Sequence, residues 1–449
     1  MTARATVVHP DDDADWSHLF DRPGPRGVTV RGLGASYSDA SLNTGGTVAA
    51  TTAQRGVGPI HPQRGVVDVD AGTPMRELLA ACIPKGWLPP VLPGTANLTV
   101  GGAFAADVHG KNHTSRSSFS QHVRSAVVLT PGDGVVTVGP AQDPDAFWAT
   151  AGGLGLTGVV RRVQLQLTRI SSSWLLTRDL AAANLDDVVT LMLAASHAHE
   201  HVVAWIDGHT TGAATGRGVL TTADHLSAAA LAPGRARQLL TYQPARRRAL
   251  ASARINLVRP TIVRSANAAR FARARRADGI ERISDLSQTF HPLDAVADWP
   301  SLYGRNGLVQ YQFSVPDGAE HVLDSVLRAL PAVGAPPSLV VLKRFGHASP
   351  GHLSFPSPGW TMALDLPAPP DPSDLQVLDR LDEQVVDAGG RVYLVKDCRM
   401  RADLVPQMYP ELDRWRSIRD RLDPEGLLTS DLDRRLHLTG RHRERQPRC

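Results

Sequence analysis

His109-Gly110-Lys111-Asn112-His113, preceded by Pro93-Gly94-Thr95 and Val100-Gly101-Gly102, is the stretch on which the fold reading turns. Residues 93–113 hold four glycines, two histidines and a lysine, with Asp107 the only other charge. Glycines at that density let backbone N–H groups approach a ligand, and successive N–H groups form nests for phosphate oxygens. A lysine and a histidine beside them can neutralise a pyrophosphate or polarise a reacting group. Two more glycine clusters flank this one, Arg31-Gly32-Leu33-Gly34-Ala35-Ser36-Tyr37 upstream and Gly152-Gly153-Leu154-Gly155-Leu156-Thr157-Gly158 downstream. The first is no Rossmann fingerprint, because its third glycine is missing. Tyr37 to Gly46, YSDASLNTGG, is turn chemistry where an amphipathic helix should follow. Three glycine loops between β-like segments predict a long dinucleotide cradled by loops rather than by one helix N-terminus.

In chain order RGLGASYSD (31–39), LPPVLPGTANLTVGG (88–102), ADVHGKNH (106–113), FWATAGGLGLTG (147–158), QYQF (310–313) and KDCR (396–399) resemble the motifs of FAD-binding oxidoreductases of the vanillyl-alcohol oxidase type. Within that family they are similar to the branch that oxidises decaprenylphosphoryl-β-D-ribose, the flavin half of a ribose-to-arabinose epimerase. The match runs from about residue 27 to about residue 438. It implies an α+β protein with a two-part FAD-binding domain, residues 1–171 and 391–449, around an inserted antiparallel-sheet substrate domain, residues 172–390.

The same resemblance assigns site residues. FAD contacts fall to Arg31, Gly32, Leu33, Gly34, Ala35, Ser36 and Tyr37 in the first loop, and to Gly94, Thr99, Val100, Gly101 and Gly102 in the second. Ala106, Asp107, Val108, His109, Val160 and Tyr393 complete that set. Lys396, Tyr37 and His109 are the implied catalytic residues. Gln310, Gln312, Lys343, Phe345, Trp205, Lys111, Thr361 and Ala363 are the implied substrate contacts. Many relatives carry a flavin-bonding histidine where Tyr37 stands, so non-covalent FAD is expected. Two further departures concern the substrate: Phe290 replaces a tyrosine at the pocket rim, and Thr361-Met362-Ala363 replaces a segment that ends in cysteine. The implied partners are a polyprenylphosphoryl ribose, a separate NADH-dependent keto-reductase and an anionic membrane surface. A sugar-alcohol or aldonolactone oxidase of the same fold is the alternative, against which Tyr37 speaks.

The residues support this chemistry independently. Gln310 and Gln312 flank Tyr311 at a spacing of two, so on a strand both face one side. Lys343 and Phe345 alternate in the same way. Arg391–Lys396 reads as a strand delivering Lys396, and 402–422 as a helical tail. Further strands are expected at 5–8, 27–31, 65–70, 125–129, 134–138, 158–167, 201–206 and 308–315, with helices after Pro10, from Thr73-Pro74 to about Cys82, and over 319–329.

Composition narrows the class. At 449 residues the chain is long enough for two or three domains, and 42% hydrophobic with 20% charged residues is ordinary for a globular protein. A net charge of +4 is too small to suggest nucleic acid. Cys82, Cys398 and Cys449 show no disulfide or metal spacing. No run of 18 apolar residues occurs, and MTARATVVHPDDDADW lacks the apolar core of a secretory signal. A cytoplasmic protein, or one peripheral at the plasma membrane, is therefore expected, although family members may act on the periplasmic face. Residues 245–276 hold ten arginines and no acidic residue, read as a basic surface loop that could meet anionic lipid. No metal is assigned. His109 and His113 lack a completing carboxylate or cysteine, and His197, His199 and His201 read as exposed.

Overall fold

Hydrophobic alternation places most of the strands where they form. The computed structural model describes residues 3–232, 238–244, 256, 258–296, 299–332, 335–368 and 372–440. The first glycine loop leaves a small parallel sheet in which β3 (Thr47–Ala50) lies between β1 (Thr6–Val8) and β2 (Val28–Arg31). Next come β4 (Val66–Asp70), β5 (Trp87–Leu88), β6 (Val123–Thr130), β7 (Gly134–Val138), β8 (Val159–Gln166) and β9 (Thr168–Arg169). Four of these make an antiparallel sheet in the order β4-β8-β6-β7, and β5 pairs with β9. Strand β8, VVRRVQLQ, buries Val163 and Leu165 and turns Arg162, Gln164 and Gln166 to the other side, while a register shift against β6 leaves Arg161 over the buried Trp16 ring at 5.7 Å.

An eight-stranded antiparallel sheet follows: β10 (Trp174–Ala182), β11 (His201–Ile206), β12 (Gly218–His225), β13 (Glu281–Asp285), β14 (Leu308–Val315), β15 (Leu339–Phe345), β16 (Gly359–Pro367) and β17 (Arg391–Val392). Their order is β13-β10-β12-β11-β15-β16-β14-β17. Tyr311, Phe313, Val340, Leu342, Met362 and Leu364 join the core from one face. The helix Glu320–Ala332 meets that core with Val322, Leu323, Val326, Leu327 and Leu330, the spacing of a single apolar stripe. The other face carries rows of mixed chemistry. Gln312, Ala363, Val341 and Trp205 pair across four strands, Gln310, Asp365 and Leu339 form the next row, and Ser314, Thr361 and Lys343 the row on the opposite side.

Three expectations change. The strand to Lys396 stops at Val392, and Leu394–Lys396 is a 3-10 turn. Tyr393 still donates its N–H to Gln312 O at 2.8 Å, but the chain then turns so that Val395 O accepts from Tyr37 N at 3.0 Å. The helical tail is broken into Ala402–Leu404, Val405–Met408 and Leu412–Leu422, with Pro410 at the last break, and a further helix, Asp431–Leu436, follows. The basic segment is a helix over Pro260–Arg276 rather than a loop. Proline opens it, alanine and arginine favour it, and Arg273, Arg275 and Arg276 in its last turn suit the negative end of the helix dipole. Arg246, Arg247, Arg248 and Arg254 lie outside the described residues. No described helix is long and apolar enough to cross a membrane.

Two arginines bind the C-terminal helices to the glycine loops. Buried Arg419 donates to Leu156 O at 3.3 Å, Leu428 O at 2.8 Å and Asp423 at 2.9 Å. Arg435 reaches Asp39 and Asp397, both at 2.8 Å, and so joins the loop after Tyr37 to the turn that carries Lys396.

Candidate active site

A cavity of about 370 Å³ runs between the glycine loops and the mixed face of the large sheet. At one end its wall is backbone. Gly32 to Tyr37, Gly94, Thr99, Gly101, Gly102 and Gly155 all border it. Thr99 caps the helix Val100–Ala105 by accepting from Gly102 N at 3.1 Å, and a Cβ on Gly32 would lie 2.3 Å from the same Thr99 hydroxyl. Only glycine lets the first two loops touch there. At Gly94 nothing in the protein lies within 4 Å of an added Cβ, so protein packing does not require that glycine. Among the described residues the N–H groups of Leu33, Gly34, Ala35 and Ser36 have no protein acceptor. Four successive free donors on a cavity wall are an anion nest. This end fits an elongated diphosphate-bearing cofactor.

The opposite end is built from side chains. His109 Nε2 lies 3.1 Å from Gln312 Nε2, which also donates to Thr361 Oγ1 at 3.1 Å; Thr361 in turn donates to Phe313 O at 2.9 Å. With the Gln312 amide as donor, His109 accepts at Nε2 and carries its proton on Nδ1. Gln310 donates to Asp365 Oδ1 at 2.5 Å. Lys396 Nζ stands 5.2 Å from the Tyr37 ring centroid, and Tyr37 leans on Trp299 at 6.1 Å between ring centroids. Tyr393 borders the cavity and donates its hydroxyl to Ala106 O at 2.8 Å. Three buried polar atoms here have no protein partner: His109 Nδ1, Gln310 Oε1 and Asp365 Oδ2. Such orphans are rare in folded proteins and are expected where a ligand completes the network.

Burial sets the charges. Lys343 is pushed down to about 7 by desolvation, then by Lys396 and Lys111. Lys396 falls to about 8 through desolvation, with Asp365 opposing the shift. Asp365 itself rises to about 6 because it is desolvated, against its Gln310 hydrogen bond and Lys396. His109 is held well below its usual range by burial and by Lys343, His113 and Lys396, so it is a neutral imidazole at neutral pH. Two lysines and a carboxylate poised within a few units of neutrality can exchange protons with a substrate hydroxyl.

The structure brings Tyr37, His109, Gln310, Gln312, Lys343, Ala363, Tyr393 and Lys396 to this one cavity, with Gly32, Leu33, Gly34, Ala35, Ser36, Gly94, Thr99, Gly101, Gly102, Ala106, Val108 and Val160. Other expected contacts stand off its wall. Arg31 and Val100 do not border it: Val100 is fully buried, and the Arg31 guanidinium lies against Gly34. Asp107, at φ +39°, accepts from Ser118, Ser120 N and Ser354 and so braces the strand-like entry to His109. Phe345 packs on His109 and His113 at 4.8 and 4.5 Å. Trp205, beside Val341, is covered by Arg270 at 4.5 Å and packs with Ala274. Thr361 acts through Gln312, and Lys111 donates to Thr289 O. Phe290 is 1% exposed and sits against His201 at 4.7 Å, so it is a core residue and not part of a pocket rim. His201 is likewise buried, correcting its reading as exposed, because it opens β11 and faces Phe290.

Sequence reasoning missed Asp365 and Asp294. Asp365 had a signal: it is the only charge in β16, two and four residues from Ala363 and Thr361 on the same face. Asp294 borders the cavity and fixes the second loop by accepting from Thr95 Oγ1 at 2.6 Å and Ala96 N at 2.8 Å. Nothing local marks it.

Residues 5–139 match the family model described as an FAD binding domain. Decaprenylphosphoryl-beta-D-ribose oxidase of Mycolicibacterium smegmatis is 36% identical over 433 residues, covering 92% of this chain and 90% of the relative. An uncharacterized protein in the mprA 5' region of Streptomyces coelicolor is 40% identical over 370 residues, 81% of this chain and 100% of that protein. Cytokinin dehydrogenase 8 of Oryza sativa subsp. indica is 30% identical over 180 residues, only 36% of this chain and 34% of the relative.

Proposed function

The chain belongs to the FAD-binding oxidoreductase family that includes decaprenylphosphoryl-β-D-ribose oxidase, and from that premise we propose that it oxidises the 2-hydroxyl of a polyprenylphosphoryl ribose to the 2-keto sugar. Its cofactor is FAD, and it is an FAD-dependent oxidoreductase acting on CH–OH groups. One observation carries the substrate reading: a glycine nest and a set of unpartnered, proton-exchanging side chains share one cavity.

When bound, FAD supplies a hydride acceptor at flavin N5. On this proposal the N–H groups of Leu33 to Ser36 would hold its pyrophosphate, and Tyr37, which has no nucleophilic nitrogen, would leave it non-covalent. On this reading residues 1–171 and 391–449 hold the cofactor, and 172–390 supply the substrate wall. Neutral Lys396 accepts the hydroxyl proton as the carbinol carbon is oxidised, and the Asp365 carboxylate stabilises the ammonium that results. Gln310 Oε1 and Gln312 orient sugar hydroxyls, while Lys343 donates to a substrate oxygen. The 2-keto product would pass to a separate NADH-dependent reductase. The helix Pro260–Arg276, with Arg264, Arg273, Arg275 and Arg276 outward and Ile262 51% exposed, offers charge and apolar contact to an anionic membrane that holds the prenyl tail.

Anaerobic mixing of the purified holoenzyme with polyprenylphosphoryl ribose should bleach the flavin absorbance. Faster bleaching by an aldonolactone or a sugar alcohol would transfer the assignment to those substrates.

A further inference from the structure

A second cavity, of about 250 Å³, is bordered by Pro90, Arg116, Arg169, Glu200, His201 and His225. The 109–113 loop touches it, since Asn112 donates to Pro90 O at 2.8 Å and Lys111 O accepts from Val202 N at 2.9 Å. His201 pairs with Ala223 across β11 and β12, so His225, two residues further along, is its diagonal neighbour on the same sheet face. The two imidazole centroids are 5.6 Å apart.

His201 is 4% exposed, yet neither of its ring nitrogens has a hydrogen-bond partner, and His225 Nδ1 is buried without one. Three orphaned imidazole nitrogens in one polar cavity need an explanation that packing does not supply. Glu200 Oε2 lies 3.9 Å from His201 Nε2. Its backbone is fixed by donation from Glu200 N to Asp224 Oδ1 at 2.8 Å, while Asp224 Oδ2 holds His199 at 2.6 Å. The other carboxylate oxygen accepts from Arg116 Nε at 3.2 Å. One ligand atom from each of Glu200, His201 and His225 lies within 4.8 Å of the other two.

We propose that Glu200, His201 and His225 form a binding site for a divalent transition-metal ion, zinc by ligand type, with its fourth position open to the cavity. Two imidazoles and a carboxylate with one open position is a standard zinc donor set. A Zn–N distance of about 2.0 Å implies ligand atoms about 3.3 Å apart, so the triad must close by roughly 1.5 Å. Glu200 and His225 are each only part-buried, and their side-chain torsions can provide that movement. Arg116 then serves as the outer partner that orients the carboxylate ligand. The site is independent of the flavin cavity, because none of the three ligands borders it.

The test uses full-length holoenzyme without a polyhistidine tag, stripped with a chelator and then titrated with zinc chloride. Metal content is read by mass spectrometry after dialysis, and cobalt substitution by visible absorption to the red of the flavin band. Wild type should retain one zinc per chain. His225→Gln and Glu200→Gln should each weaken binding by roughly a hundredfold or more, and Arg116→Met by about tenfold. FAD content unchanged in all three variants shows that they fold. Zinc binding equal in wild type and variants, or no retained zinc in wild type, overturns the proposal. Binding of inorganic phosphate to a wild-type protein that retains no zinc would make the cavity an anion site instead.

Discussion

The glycine-loop wall of the large cavity takes its contacts from backbone atoms in three short stretches around 32–37, 94–109 and 154–160. The sheet wall takes its contacts from the side chains of Gln310, Gln312, Lys343, Asp365 and Lys396. The first wall is therefore sensitive to an added Cβ and indifferent to charge. The second tolerates changes of shape better than loss of a proton-exchanging group. Cofactor binding and substrate turnover should consequently fail separately.

The largest effect tests the side-chain wall. Lys396→Met should lower the anaerobic flavin-reduction rate by on the order of 10³-fold while FAD content stays at wild-type level. A loss under tenfold in stopped-flow reduction would remove Lys396 from the chemistry. The backbone wall gives the converse. Gly32→Val puts carbon against Thr99, and about 1–3 kcal/mol of overpacking predicts FAD binding weaker by roughly five- to a hundredfold. At saturating FAD the same variant should reduce at near wild-type rate, and a large defect there would mean the walls are coupled.

A smaller effect concerns pH. With neutral Lys396 as proton acceptor, the reduction rate should fall about tenfold per unit below about 8. Asp365 raises the Lys396 value, so Asp365→Asn should shift that limb to lower pH; a shift the other way breaks the pairing. The sign for stability is opposite. The folded value lies below the ordinary 10.5, so the unfolded chain binds more protons between about 8 and 10.5. The penalty is full below 8 and is relieved as pH rises, about 3 kcal/mol in all. Lys396→Met should thus denature at higher urea than wild type at pH 7.

The smallest effect lies outside both walls. Each of Arg273→Gln and Arg275→Gln should weaken sedimentation with anionic vesicles by about fivefold, from ~1 kcal/mol per charge, and leave FAD bound. Equal binding to neutral and anionic vesicles would remove the charge of this helix from any lipid recognition.

The two walls also differed in how far the sequence revealed them. Gly32, Gly94 and Gly101 announce themselves because a backbone wall is written in consecutive residues. Strands 201–206 and 308–315 form where alternation places them. The sheet wall depends on register instead. Gln310 meets Asp365 only because β14 and β16 pair at that offset, and no local pattern fixes it. The same non-local pairing places Trp205 under Arg270 and turns the chain at Tyr393 before Lys396.

Arg435 and the bridge between Val28 and Leu428 have a consequence for how the polypeptide comes into being. The guanidinium that fixes the loop after Tyr37 against the turn of Lys396 lies near the C-terminal end of the described chain. A nascent chain emerging from the ribosome can pair β4, β6 and β8 early, but β2 must wait with an uncovered edge for residue 428. Contacts of such sequence separation slow folding, because the intervening chain must lose its freedom first. The loop after Tyr37 and the turn of Lys396 are tied together through residue 435, so a product cut before residue 428 would hold most of the fold and lack the brace between two parts of the cavity wall.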